Sequence, residues 1–246
     1  MNNSFIKELL LKNFFNFFKS WKRFYFDFSQ FGEEKVIFNI LQRISSKKNI
    51  NPIYIDIGGY DPIEYSNTYK LYQKNWRGII VEPNINKVKN WSKIRPNDYV
   101  VNNALVDSEY KEKKIKIYYQ KKGRADETAY PNTKKDNLSY YEADTIRLSD
   151  IISLCEDKFS KPFFLNMDIE GNEEKLILEL KEIEYIIPLI CIEIFLPKNT
   201  NNFSIFSYKN LKAVNFLEDN GYLLVNVNGP SLIFCHKEFW VPYTKL

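Results

Sequence analysis

From residue 35 onwards, short apolar runs alternate with helix-like segments, and this alternation limits the fold more than any other feature of the chain. The runs PIYIDIGG (52–59), RGIIVEPN (77–84), YVVNNALV (99–106), PFFLNMDIEG (162–171) and IIPLICIEIF (186–195) are compact and rich in β-branched residues. Between them lie segments with helical spacing at 33–44, 66–75, 85–94, 147–156, 172–182 and 207–220. Start and stop signals agree: Ser66 or Asn67 near one cap, Ser149 or Asp150 in another first turn, Gly221 past the last helix. Strands separated by helices predict an α/β fold, a parallel sheet with helices on both faces. The last two runs, YLLVNVNG (222–229) and SLIFCH (231–236), share a short turn carrying Gly229 and Pro230, so they must be antiparallel. KKIKIYYQ (113–120) alternates as a half-exposed strand does, whereas 121–145 shows no period and reads as a long loop. No repeat and no linker divides the chain. One domain over 46–246 follows, preceded by a helical extension over 1–45.

Composition narrows the function. Hydrophobic residues make up 44% of 246, enough for a core without disulfides. The net charge is +4, and the aromatics do not interleave with basic residues as base-stacking platforms do, so nucleic acid is not an expected partner. Three cysteines, Cys155, Cys191 and Cys235, lie far apart with no CxxC, which argues against a disulfide framework and a zinc site. A reducing compartment follows, read as the cytoplasm. No uninterrupted apolar stretch of about 18 residues predicts a membrane span. Residues 5–28 are an amphipathic, aromatic-rich segment with lysines and arginines between the rings. Two readings stand: peripheral contact with the inner face of the membrane, or packing on the domain or on a second subunit of a homo-oligomer.

In open α/β sheets ligands bind beyond the carboxyl ends of the strands. The residues there are Asp56-Ile57-Gly58-Gly59, Glu82-Pro83-Asn84, Asn102-Asn103-Ala104, Asp168-Ile169-Glu170-Gly171 and Glu193. Acids recur at four of the five ends, and several converging on one crevice make a candidate site. DIGGYDP (56–62) lacks the glycine pattern of dinucleotide binding and the GK[ST] of a P-loop; it is either a close backbone approach to a ligand or a plain strand-to-helix turn. Glu82 could accept hydrogen bonds from a vicinal diol such as a ribose, or cap the next helix. Asp168 and Glu170, two residues apart at a strand end, are expected on one face of that strand. They could bind a divalent cation, hold an amine, act as a base, or cap a helix. His236, the single histidine, reads as structural.

Taken together, FSQFGEEKVI (28–37), YIDIGGYDP with SNTY (54–69), WRGIIVEPN (76–84), NNALV (102–106), RLSDII (147–152), FLNMDIEGNEEKLIL (164–178) and CIEI (191–194) resemble the FkbM-type methyltransferases, a branch of the S-adenosylmethionine-dependent Rossmann-like enzymes, and a bacterial sugar- or glycan-associated subgroup of them. The resemblance spans about 28–236. It implies a class I methyltransferase fold: a mostly parallel seven-stranded sheet with one antiparallel strand. It implies S-adenosylmethionine as cofactor, with Asp56, Gly58, Gly59 and Asn67 bordering its methionine part and Glu82 and Pro83 at the ribose. Asn103 and Ala104 would lie near the adenine, and Asp168 near the methyl group. It implies O-methylation of a hydroxyl, on a sugar, glycan or related small molecule. Asp168 or Glu170 would be the base, with a divalent metal on those two acids as an option. Gln30 and Glu33 would reach towards the site, or Ser29 would simply cap the helix. Tyr60 departs from the Ala-Asn or Ala-His of many relatives. The irregular 121–145 segment, with Tyr130, Tyr140 and Tyr141, is where acceptor recognition is expected. The competing reading is a non-catalytic, membrane-associated interaction protein that keeps the fold.

Overall fold

The computed structural model describes residues 27–119, 127–128, 138–196 and 205–242. Its centre is β1 (Ile53–Ile57), whose five residues are all buried. That is why IYIDI is nearly continuously apolar: helices cover both of its faces. β1 pairs in parallel with β2 (Arg77–Val81) on one side and with β7 (Phe164–Met167) on the other. β3 (Tyr99–Val101) extends the sheet beside β2. β8 (Leu189–Glu193) extends it beside β7, followed by β10 (Ser231–His236) and the edge strand β9 (Tyr222–Asn228). The order is β3-β2-β1-β7-β8-β10-β9, and only β10 runs against its neighbours, as the Gly229-Pro230 turn requires. This is the expected Rossmann-like sheet of seven strands, mostly parallel with one antiparallel member.

Two apolar layers close the faces. α1 (Glu33–Ser45) presents Ile37, Ile40, Leu41 and Ile44 at helical spacing to Tyr54, Phe164, Cys191 and Ile233. Burying each of those four side chains contributes about 2 kcal/mol. α2 (Tyr69–Gln73) and α3 (Ile85–Ile94) add Leu71 and Trp91 to the same layer. On the other face, α4 (Leu148–Lys158), α5 (Glu173–Leu176) and α6 (Lys212–Asp219) contribute Leu148, Ile151, Ile152, Leu176, Val214 and Leu217. The three cysteines are free and buried in these layers. No helix among the described residues is long and apolar enough to cross a membrane. Residues 5–26 of the aromatic extension lie outside the described residues. Phe28, just after them, is buried and meets Tyr69 edge to face at 4.7 Å.

Several boundaries differ from the sequence reading. The single strand expected at 99–106 breaks at Asn102, whose Nδ2 donates to the carbonyls of Glu82 and Pro83 at 2.8 and 2.9 Å. Beyond it β4 (Asn103–Val106) leaves the main sheet for a second one of three strands. The segment 121–145 is not all loop. Its end belongs to the nine-residue β6 (Ser139–Arg147), which pairs with β4 and with β5 (Lys114–Tyr119). β6 hid because only Ala143 is fully buried along it, so its composition looks like that of a loop. The helix expected from 66 begins at Tyr69, because Ser66 Oγ accepts the N–H groups of Thr68 and Tyr69 and holds a polar turn there. The helix from 172 is α-helical only to Leu176 and tightens to a 3-10 turn over Ile177–Glu182.

Candidate active site

Register fixes where the site lies. Ile57 is level with Val81 and with Met167, and Met167 with Ile192. The next residues along, Gly58, Glu82, Asp168 and Glu193, therefore emerge at one edge of the sheet. The strand order reverses between β1 and β7, so this edge is also the switch point.

Gly58 makes the floor. Its φ is +83°, and a Cβ there would lie 1.5 Å from the carbonyl oxygen of Asp168. Gly58 and Gly59 both donate their N–H to the Val81 carbonyl, at 2.9 and 3.2 Å. A Cβ on Gly59 would meet Ile80 at 2.6 Å and Trp91 at 2.9 Å. The two glycines thus let three strand ends close on each other with bare backbone.

Glu82 is 3% exposed. One carboxylate oxygen accepts the Tyr60 N–H at 2.9 Å and the other the Asn84 N–H at 2.7 Å. Burial pushes its pKa up to about 7, against the pull of Lys87 and these two bonds. Tyr60 reaches its donor position with φ +46°, and the Lys87 ammonium lies 4.2 Å from its ring centroid.

Asp56 faces inwards. Asn166 Nδ2 donates to it at 2.8 Å, Thr68 Oγ1 donates to its other oxygen, and Asn67 donates to Asn166 at 3.0 Å. Beneath them Arg95, wholly buried, donates to Thr68 Oγ1 at 3.0 Å, to the Tyr54 hydroxyl at 2.6 Å and to Asp98 at 2.7 Å. Asp56 and Asn67 therefore belong to one polar network that braces the β1 end from below.

The last element is acidic. β7 stops at Met167, so Asp168 and Glu170 do not share a strand face as expected. The chain turns instead through Glu170 (φ +59°) and Gly171 (φ +133°). Glu173 holds that turn, its Oε1 accepting the N–H groups of Ile169 at 3.0 Å and Gly171 at 2.8 Å. The turn still brings Asp168 and Glu170 together, and adds Glu193: one oxygen of each lies within 4.8 Å of the others. Asp168 and Glu193 share a hydrogen bond. Burial first, then that bond and the surrounding acids, holds Asp168 well above the usual carboxylate range. Burial likewise pushes Glu193 up to about 7.

Residues 56–224, from the network acid Asp56 to the edge strand β9, match the methyltransferase FkbM domain. The chain belongs to the FkbM methyltransferase family. No curated protein matches it.

In this methyltransferase a pocket of about 500 Å³ opens beside Glu82. Pro83, Asn84, Asn102, Tyr141 and Asp144 line it, between α3 and the small sheet. Glu127 closes one wall, accepting from Asn84 Nδ2 at 3.1 Å and the Tyr141 hydroxyl at 2.8 Å, with Lys87 at 3.2 Å. Asn103 donates to the Thr145 carbonyl at 3.1 Å, and Ala104 is buried in the small sheet's own cluster with Ala143. Of the expected acceptor tyrosines, Tyr141 is at the pocket, Tyr140 is exposed on β6, and Tyr130 lies outside the described residues.

Near the acids, Glu33 accepts from Ser231 Oγ at 2.8 Å and its charge raises Glu193. Ser29 Oγ accepts the Glu34 N–H at 3.2 Å, and Gln30 is exposed. Ser29 thus ties down the helix start, while Glu33 lies near Glu193. His236 ends the antiparallel β10 and so sits at the opposite edge of the sheet, buried and edge to face with Tyr222 at 5.1 Å. Sequence reasoning passed over Glu173, Glu127, Arg95 and Asp98. Only Glu173, in the first turn of a helix, carried a local signal.

The donor set fits a ligand that combines a diol with a cationic group. Glu82 is a buried acceptor with both oxygens oriented. Asp168 Oδ1 is a buried acceptor atom with no hydrogen-bond partner among the described residues.

Proposed function

We propose that this enzyme takes a methyl group from S-adenosylmethionine and transfers it to a hydroxyl of a sugar, a glycan or a related small molecule. Glu82 carries the reading. Each of its oxygens accepts one backbone N–H and keeps a lone pair for a ribose hydroxyl. The pocket beside Pro83 has room for the adenine, with Asn103 and Ala104 in the sheet that backs it. Gly58 and Gly59 give the methionine part a backbone floor, braced by Asp56 and Asn67, with Asp168 next to it.

When bound, the cofactor supplies a sulfonium methyl open to attack by a hydroxyl oxygen. The chain's part is to align that oxygen and to receive its proton. Asp168 and Glu170, backed by Glu193, would take the proton. Glu193, raised to about 7, can share that proton near neutral pH. No histidine is available for the task, since the single one lies across the sheet.

Incubation with methyl-tritiated S-adenosylmethionine and a panel of sugars, nucleotide sugars and glycan fragments tests this reading. Label in a base-stable product of a hydroxylated acceptor supports it, because a methyl ether survives mild alkali. Label confined to base-labile esters or to amines contradicts it.

A further inference from the structure

The crevice has an aromatic rim beside its acids. β8 ends at Glu193, but its alternation runs on. Ile190, Ile192, Ile194 and Leu196 pack in one core layer, Leu189 and Cys191 in the other. Phe195 therefore emerges on the face of Cys191 and Glu193, the face that α1 covers further down. It is 62% exposed, between two neighbours that pack on the core. The Ile194 N–H donates to the Pro230 carbonyl at 2.9 Å, so Phe195 comes out beside the Gly229–Pro230 turn. Phe31, 45% exposed, lies on that same turn: a Cβ on Gly229 would meet its ring at 3.1 Å. The backbone of Phe31 is tied on both sides. Its N–H donates to Glu33 at 2.9 Å, and its carbonyl accepts from Asn228 Nδ2 at 3.2 Å. The turn is held in its own right by the Tyr208 hydroxyl, which donates to the Gly229 carbonyl at 3.0 Å. An exposed ring on a backbone fixed in this way loses little freedom when a ligand covers it.

The polar groups next to these rings are acceptors. Glu193 is the register partner of Ser231, whose hydroxyl donates to Glu33 at 2.8 Å. The charges acting on Glu193 are negative, from Glu170, Glu173 and Glu33. An aromatic ring presents a negative face, which suits the weakly positive C–H bonds on the face of a saturated ring. Hydroxyls around the edge of that same ring would meet the carboxylates as donors. A flat aromatic acceptor lacks the hydroxyl edge, and an anionic one is repelled by the acids. We propose that Phe31 and Phe195 form the acceptor platform of this enzyme: they take the C–H face of an uncharged sugar ring and turn one of its hydroxyls towards Asp168 and Glu193. The proposal rests on the methyl-transfer reading for the fate of that hydroxyl, whereas binding of the ring does not depend on it. It puts acceptor recognition where β8 ends and β10 begins, apart from the 121–145 segment.

Saturation-transfer NMR on the full-length chain tests it, with and without S-adenosylhomocysteine. The probes are the methyl glycosides of glucose, galactose, mannose and N-acetylglucosamine, set against glucuronic acid, glucose 6-phosphate and catechol. At least one neutral glycoside should bind, with the strongest transfer to the C–H protons of one ring face. Phe31→Ala and Phe195→Ala should each weaken that binding about 5-fold or more, and Phe195→Tyr should keep it within about 2-fold. Affinity for S-adenosylhomocysteine should hold in all three, which a general loss of structure would not allow. Phe195 touches neither core layer with its ring, so its variants keep the test valid if Phe31→Ala unfolds. No neutral glycoside bound by wild type at millimolar concentration, binding indifferent to both alanine substitutions, or catechol bound in place of the glycosides overturns the proposal. S-adenosylhomocysteine separates the two readings. Its binding without glycoside uptake removes the platform and leaves the cofactor; glycoside uptake that needs both rings, without its binding, keeps the platform and removes the cofactor.

Discussion

The carbonyl oxygen of Asp168 occupies the space that a side chain on Gly58 would need, 1.5 Å from the position of its Cβ. The two residues directly follow the neighbouring strands β1 and β7, so this contact sets how closely the glycine turn approaches the acidic turn. Gly58→Ala must displace one of them, and it must also hold alanine at φ +83°, which alone costs about 1–2 kcal/mol. The substitution is expected to lower stability by about 3 kcal/mol or more once the clash is included. Thermal unfolding and cofactor-product binding measured on the same sample should both suffer. An unchanged melting temperature would show that the two strand ends are not in contact.

Glu82 makes both stability and binding depend on pH. Its folded-state pKa of about 7 lies above the ordinary glutamate value of 4.5. The folded protein therefore binds a proton between these values that the unfolded chain has released. The stability this contributes is fully present below about 4.5 and is lost as pH rises through 7. Ligand binding runs the other way. A diol needs the ionised carboxylate, so affinity should fall up to 10-fold per unit below pH 7. Titrations at pH 6 and 8 check this. Affinity independent of pH over that range would mean that the ligand does not address Glu82.

Arg95 is expected to matter for folding although it lies below the site. It is wholly buried and bonds Asp98, Tyr54 and Thr68, and through Thr68 it braces Asp56. Arg95→Met leaves the Asp98 carboxylate buried without its cation, a change worth about 3–5 kcal/mol. For a chain of this size that is roughly 6–20 °C in melting temperature. Asp98→Asn in the same background should recover part of the loss. Additive losses in the double variant would mean that the pair does not interact.

How much of this could be read beforehand depended on how local the signal was. IYIDIGG and FLNMDIEG announce buried parallel strands ending in acids because both faces of those strands are covered, and a continuous apolar run follows from that. Glu82 could be picked out because it directly follows an apolar run. Arg95 and Asp98 could not, since RPNDY looks like a surface turn and the partners Tyr54 and Thr68 are 41 and 27 residues from Arg95 in sequence. β6 was missed because one buried alanine in nine residues leaves no apolar period. The geometry of Asp168 and Glu170 was misjudged for a related reason. A strand end and a left-handed turn have the same composition, and only the bonds from Ile169 and Gly171 to Glu173 decide between them.

The central claim is that the carboxyl ends of β1, β2 and β7 form a site for S-adenosylmethionine, with Glu82 on the ribose. Calorimetric titration of S-adenosylhomocysteine into wild type and Glu82→Ala tests it most directly. The account predicts one site per chain in wild type and a loss of 10-fold or more in the variant, about 1.4 kcal/mol. No heat with folded wild type at millimolar ligand, or equal affinity in the two proteins, would contradict it.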